Sequence, residues 1–167
     1  MKDRSSVVII PARMDSTRFP GKPMVEIHGI PMIGHVFFRS TLIESAESVH
    51  VATCDNVIFD YINSIGGSAI MTSNSHERAT DRTAEALENL KSRENKNYDI
   101  VAMIQGDEPM VNPYDINKGI EALSNNKSQN IVNLMNKASS IEEFLDVNNV
   151  KVVVDTQKRA LYFSREP

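Results

Sequence analysis

One twelve-residue stretch, residues 11–22 (PARMDSTRFPGK), concentrates side chains that suit anion binding. It combines three cations, two hydroxyls, two prolines and a glycine: Arg13, Arg18, Lys22, Ser16, Thr17, Pro11, Pro20 and Gly21. The prolines restrict the backbone, the glycine widens its choices, and the amides and cations of such a loop converge on an anion. The glycine spacing matches neither the dinucleotide-binding fingerprint nor the Walker loop. The pattern therefore favours a different polyphosphate site, with an ordinary basic connection as the alternative.

A second candidate is Asp107, within the sequence QGDEP that follows the apolar residues 99–104. Mg²⁺ prefers one or two carboxylates together with phosphate oxygens, so an aspartate facing a cationic loop suits nucleotidyl or phosphoryl transfer. The alternative is a turn-forming aspartate that bonds its own backbone.

A third polar segment covers residues 76–82, with the sequence HERATDR. Arg82 is predicted in the first turn of a helix, where the helix dipole opposes a cation unless an anion compensates. We interpret Arg82 as a phosphate or base contact, with a surface pair to Asp81 or Glu85 as the alternative. His76 has no companion at metal-ligand spacing and is interpreted as a solvated loop histidine.

These segments must be positioned by the strands and helices between which they lie. Apolar runs predict strands at residues 7–10, 49–53, 69–71, 99–104 and 131–135, and a hairpin of 150–155 with 160–164. Helical periodicity predicts helices after Pro31, at 57–64, where Asp55 serves as N-cap, at 81–90, where Thr80 does, and at 114–123 and 141–145. The alternation predicts an α/β fold with a mostly parallel sheet covered by helices on both faces. The absence of a repeat or linker predicts one domain over residues 1–167.

Composition limits the class of protein. The 167 residues are 41% hydrophobic and 24% charged, which is typical of a soluble globular protein. A net charge of −4 and a pI near 5.6 argue against a nucleic-acid partner recognised through overall basicity. No apolar run is long enough for a signal peptide or a membrane span, and the single Cys54 is interpreted as a half-buried residue, not a nucleophile. We therefore expect a cytoplasmic protein.

Three blocks of the sequence together resemble the 3-deoxy-manno-octulosonate cytidylyltransferase family. They are VVIIPARMDSTRFPGKPMVEIHGIPMIGHV, QGDEPMV and NNVKVVVDTQKRALYFSREP, in the family's order and at similar separation. The resemblance implies a Rossmann-like nucleotidyltransferase of lipopolysaccharide biosynthesis that uses CTP and Mg²⁺. In that reaction the anomeric hydroxyl of a sugar acid attacks the α-phosphate and pyrophosphate leaves. A homodimer is expected for the full-length protein.

The resemblance also implies roles for individual residues. Arg13 and Lys22 would neutralise the triphosphate and, with Asp107, carry the catalysis, and Asp107 would bind Mg²⁺. The backbones of Pro11 and Ala12 would meet the cytosine. Three further residues would help to hold the nucleotide: Thr80, Arg82 and Gln105. Such chemistry depends mainly on positioning and charge neutralisation.

The chain departs from the family pattern in two places. The third loop usually reads H.SGT.R, whereas Arg78 and Ala79 stand here in place of Ser-Gly. Family members also continue beyond the position of Pro167, so we expect this chain to lack a C-terminal portion. These departures leave two alternatives open: a cytidylyltransferase for another sugar acid, of sialic or amino-substituted type, or a nucleotide-binding module with impaired catalysis.

Overall fold

The structure, a computed structural model, describes residues 4–15 and 19–167. Ser16, Thr17 and Arg18 of the basic stretch lie outside the described residues. The chain forms two compact units, Met1–Val132 and Asn133–Pro167. This division concerns packing and does not test the prediction of one domain, which stays a prediction.

The first unit alternates strands and helices, as the sequence predicted. A 3₁₀ turn, Lys22–Met24, follows the first strand. The elements are β1 Ser6–Ala12, β2 Glu26–Ile27, β3 Ile30–Pro31, α1 Met32–Ser40, β4 Ser48–Thr53, α2 Asn56–Ser64, β5 Ala69–Met71, α3 Ala79–Glu94, β6 Ile100–Met103 and α4 Pro113–Asn125.

Four of these strands form a parallel sheet in the order β5-β4-β1-β6. Along the chain, β4 and then β5 are added on one side of β1, and β6 is then added on its other side. The strand order therefore reverses between β1 and β6. In open α/β sheets this switch point leaves a crevice beyond the carboxyl ends of the two strands, and ligands bind there.

The strand β1 is buried along its whole length and alternates between two cores. Val8 and Ile10 lie in a core completed by residues of α1, α2 and α4. Val7 and Ile9 lie in a second core with Ala86 and Leu90 of α3. The prediction of a mostly parallel sheet with helices on both faces is therefore confirmed.

The second unit contains α5 (Ile141–Leu145) and an antiparallel hairpin of β7 (Lys151–Val154) and β8 (Ala160–Ser164). The Lys151 ammonium, at the start of β7, donates to the carbonyl oxygens of Asp146 at 2.8 Å and Asn149 at 3.2 Å. The predicted strand at 131–135 is wrong, because these residues have no regular structure. Within the described part of the chain, no helix has both the length and the apolar character needed to cross a membrane.

Candidate active site

The carboxyl ends of β1 and β6 approach each other closely at the switch point. A Cβ atom placed on Gly106 would lie 2.7 Å from the carbonyl oxygen of Pro11 and 3.2 Å from the Cβ of Ala12. Only glycine allows the backbone of the QGDEP turn to come this near to the end of β1. Gly106 therefore sets the distance between Asp107 and the end of β1, where the first loop (residues 11–22) begins.

Lys22 and Asp107 face each other across this junction. The Lys22 Nζ lies 2.7 Å from the Asp107 Oδ2, and the two side chains are 36% and 46% exposed. Solvent screens a pair this exposed, so its contribution to stability is about 0–1 kcal/mol. The pair therefore contributes little to the stability of the fold.

The first loop is closed by bonds to Met14. Gly21 takes a left-handed conformation, with φ of 76°, and its amide donates to the Met14 carbonyl oxygen at 3.0 Å. On its other side the Met14 amide donates to the Asp55 Oδ2 at 2.8 Å. The carbonyl and amide groups of Met14 are thus both held by hydrogen bonds. These bonds keep the start of the first loop close to Gly21, which precedes Lys22.

Asp55 has a role that the sequence analysis missed. It occupies the N-cap position of α2, as predicted, but its side chain makes no capping hydrogen bond to that helix. Its carboxylate instead accepts from Met14 and, at 3.6 Å, from the Sγ of half-buried Cys54. No local pattern could indicate this contact, because it joins residues 41 positions apart.

Arg82 lies in α3 and is only 2% exposed. Its guanidinium donates to the Thr72 Oγ1 at 2.5 Å, to the Ser73 carbonyl oxygen at 3.1 Å and to the His76 carbonyl oxygen at 3.5 Å. The alternative of a surface pair with Asp81 or Glu85 is therefore wrong. These three hydrogen bonds all go to neutral oxygens, and the charge of Arg82 also contributes, after the Ser73 amide, to lowering the pKa of the Glu85 carboxyl.

The His76 ring pairs with the Glu85 carboxylate, and the two side chains are 22% and 32% exposed. The interpretation of His76 as a solvated histidine is therefore wrong. Glu85 also accepts from the Ser73 amide at 2.9 Å. That backbone hydrogen bond is the main factor that lowers the pKa of the Glu85 carboxyl, and the bond to His76 lowers it further.

The structure brings most of the predicted site residues together around one cleft of about 280 Å³. The lining includes these predicted residues: Pro11, Ala12, Arg13, Lys22, Arg82, Gln105 and Asp107. Thr80 is exposed, does not line this cleft and does not cap α3, whose N-cap position is held by Arg78. The prediction that Thr80 caps the helix is wrong, because the helix already begins at Ala79.

The charge of the cleft favours an anion. Among the residues that the structure describes, its lining carries four cations and three carboxylates, namely Arg13, Lys22, Arg78, Arg82, Asp15, Glu77 and Asp107. Within the ranges that the structure describes, no three His, Cys, Asp or Glu side chains form a metal-binding group.

Comparison with known proteins gives consistent matches. A family model described as cytidylyltransferase matches residues 7–167. The 3-deoxy-manno-octulosonate cytidylyltransferase of Trichlorobacter lovleyi is 44% identical over 161 residues, covering 96% of this chain and 62% of that protein. Its namesake from Escherichia coli is 40% identical over 162 residues, covering 97% of this chain and 63% of that protein.

A solved structure of CMP:2-keto-3-deoxy-manno-octonic acid synthetase in complex with CTP superposes with a TM-score of 0.82 at 36% identity. The match covers 97% of this chain and 64% of that one. The chain thus spans somewhat under two thirds of the length of the relatives it matches. The resemblance that the sequence blocks indicated is confirmed.

Proposed function

Because this chain belongs to the cytidylyltransferase family, we propose that it is the nucleotide-binding part of an enzyme that activates a sugar acid with CTP. The proposed sugar is 3-deoxy-manno-octulosonate, and the products are the CMP-sugar and pyrophosphate. This is the activity named for its relatives in Trichlorobacter lovleyi and Escherichia coli. We also propose that the full-length protein acts in lipopolysaccharide biosynthesis, is located in the cytoplasm and forms a homodimer.

The observation that carries this proposal is the 2.7 Å contact between Lys22 and Asp107 at the switch point of the sheet. It brings a cation of the first loop against the carboxylate that follows β6. A magnesium–triphosphate complex contains both the anion that Lys22 would bind and the cation that Asp107 would bind. Each partner of the ion pair would therefore exchange the other for one component of this ligand.

The reaction transfers a cytidylyl group. The anomeric oxygen of the sugar forms a bond to the α-phosphorus, and the bond from that phosphorus to the pyrophosphate oxygen breaks. The sugar hydroxyl loses its proton and the pyrophosphate departs with the electron pair. Arg13 and Lys22 would neutralise charge on the triphosphate during this step, which is the main work of proteins in such transfers.

The nucleotide would be recognised at the ends of β1 and β6. Pro11 and Ala12 present backbone groups at the cleft, and the Gln105 amide offers donors and an acceptor. Arg82 provides a buried positive charge beside them. Thr80 is proposed as a nucleotide contact through the family motif alone, since it does not line the cleft.

Asp107 is the proposed Mg²⁺ ligand. Its carboxylate is 46% exposed and faces the cationic loop, which fits a metal that also takes phosphate oxygens. When bound, the metal ion would neutralise phosphate charge and help to orient the transferring group.

The first test is a calorimetric titration of the chain with CTP and Mg²⁺, with ATP, GTP and UTP as controls. Selective binding of CTP is the expected result. Equal binding of all four nucleotides, or none by a chain shown to be folded, would contradict the proposal. The same titration of the Lys22→Ala variant should show weaker binding, whereas Lys118→Ala, which removes a cation from α4, should leave it unchanged.

The identity of the sugar acid is tested separately. Pyrophosphate release by the full-length protein is measured with a panel of sugar acids. The panel contains 3-deoxy-manno-octulosonate, a sialic acid and an amino-substituted analogue. The other acids are included because Arg78 and Ala79 stand where the family usually has Ser-Gly. CTP binding without turnover of any acid would favour a binding module over an enzyme.

A further inference from the structure

We infer that Glu85 is a positioning residue for the candidate active site. It acts through the third loop, residues 72–78 between β5 and α3, on the guanidinium groups of Arg13 and Arg82. This inference rests on the proposed function, since it concerns how the cleft holds its nucleotide. Glu85 itself lies outside the cleft lining. It lies one turn after Arg82 on α3, on the side that faces residues 73–76.

The Glu85 carboxylate holds the loop at two points. It accepts from the Ser73 amide at 2.9 Å through Oε2 and at 3.1 Å through Oε1. It also pairs with the Nε2 of His76. The two anchor points are three residues apart, so one carboxylate fixes both the position of the loop and its direction.

The loop in turn holds two cations of the cleft. The carbonyl oxygen of His76 accepts from the Arg13 Nη1 at 3.4 Å and from the Arg82 Nη2 at 3.5 Å. Both distances are near the upper limit for a hydrogen bond, so a small displacement of this oxygen would break both contacts. Arg82 is held more closely by Thr72 at 2.5 Å and by the Ser73 carbonyl oxygen at 3.1 Å. The position of Arg82 therefore depends on the loop mainly through Ser73, and that of Arg13 depends on it through His76.

The Ser73 amide is the main factor that lowers the pKa of the Glu85 carboxyl, and the charge of Arg82 is a smaller one. Within the described part of the chain, the Glu85 carboxylate contacts the His76 ring and lies within ion-pair distance of neither arginine. Its influence on the hydrogen bonding of Arg13 and Arg82 passes through the backbone of the loop. The same helix carries a matched acidic control, Glu88, which is 70% exposed and lies 4.0 Å from Lys91.

The test compares CTP binding by calorimetry for Glu85→Ala, Glu85→Gln and Glu88→Ala. Each lost anchoring bond is expected to weaken CTP affinity by up to about tenfold. Glu85→Ala should therefore weaken it by about tenfold or more, and Glu88→Ala should have no effect. Glu85→Gln should recover part of the affinity, because its amide oxygen still accepts from Ser73.

A double variant separates positioning from a general loss of structure. If Glu85 acts through Arg13, then Glu85→Ala should weaken CTP binding less in an Arg13→Ala background than in the unaltered chain. Hydrogen exchange should also be faster at the Ser73 amide in Glu85→Ala than in Glu88→Ala. A general loss of stability would speed exchange across the core of the sheet as well.

Two kinds of failure are distinguishable. Unchanged CTP affinity in Glu85→Ala, or a fully additive loss in the double variant, would overturn this inference and leave the proposed function standing. No CTP binding by the unaltered, folded chain would overturn the proposed function, and this inference with it.

Discussion

Replacing Gly106 with alanine is the most direct test of how the two strand ends form the cleft. The added Cβ would lie 2.7 Å from the Pro11 carbonyl oxygen, whereas real Cβ atoms essentially never come within 3.0 Å of another heavy atom. The oxygen belongs to the backbone of the buried strand β1 and cannot rotate away. The QGDEP turn must therefore move outward by about 0.3–0.7 Å to restore contacts of 3.0–3.4 Å.

Two consequences follow from this displacement. Overpacking of this kind lowers the free energy of unfolding by about 1–3 kcal/mol. The outward movement also separates Asp107 from Lys22, whose present distance is 2.7 Å. The loss of about one hydrogen bond or charge contact weakens binding by about tenfold, so we expect CTP affinity to fall by about that factor.

Gly34→Ala is the matched control. Its Cβ would also meet other atoms, namely the Tyr61 hydroxyl, the Ile30 Cγ2 at 3.0 Å and the Tyr61 Cζ at 3.2 Å, but all of them belong to side chains and none to the backbone. The ring can swing aside, and alanine favours the helix by about 1 kcal/mol over glycine. We expect a change of about 1 kcal/mol or less in stability and none in CTP affinity.

The assays are urea unfolding and CTP calorimetry on both variants. Loss of CTP affinity by Gly106→Ala at temperatures where it is fully folded would support a site built on the strand junction. Equal CTP affinity in Gly106→Ala and the unaltered chain would refute the reasoning, because the turn would then tolerate the shift. A similar affinity loss in Gly34→Ala would refute it as well, since the effect would then not be specific to the junction.

Three further predictions address charge and pH. Lys22→Ala and Asp107→Asn should each abolish pyrophosphate release by the natural protein, and near-normal turnover in either would remove the role proposed for that residue. Asp55→Ala should weaken CTP binding by about tenfold, because a hydrogen bond to a charged group contributes about 1.5–3 kcal/mol and this one fixes Met14; unchanged binding would show that Met14 needs no such anchor. Burial lowers the pKa of His50 below its ordinary value of 6.5, so the unfolded chain takes up a proton first as the pH falls. Urea unfolding should show stability decreasing from pH 7.5 to 5.5, less steeply in His50→Gln, and equal slopes would contradict this.

The fold was largely predictable because its strands are defined by local signals. The run at 7–10 is apolar throughout, as expected for a strand buried on both faces, and β5 matches its predicted bounds at 69–71. The error at 131–135 has a physical cause. Ile131 is 79% exposed and Leu134 55% exposed, so an apolar run alone does not make a strand without a partner to bond.

The residues that line the cleft were predictable mainly where they follow strand ends, and Arg82, in α3, was predicted from its place in the first turn of a helix. Arg13, Lys22 and Asp107 were predicted because the carboxyl edge of a parallel sheet gathers such residues. Asp55 was predicted only as a helix N-cap and Glu85 only as a surface partner of Arg82, since each contacts the site region through hydrogen bonds from backbone amides of another loop. Backbone amides leave no signature in a sequence, so no residue pattern could have indicated which carboxylate would accept from them.

The pairing of Lys22 with Asp107 also explains how one cleft could serve two oppositely charged ligands. In the free protein the two side chains lie 2.7 Å apart, so each charge is partly neutralised by the other. A phosphate alone would compete with Asp107 for Lys22, and a divalent cation alone would compete with Lys22 for Asp107. Bound together, the two ligands satisfy both side chains at once, so each should raise the affinity for the other by the same factor. A cleft built in this way would favour the metal–nucleotide complex over either component, which is the selectivity that the proposed transfer needs.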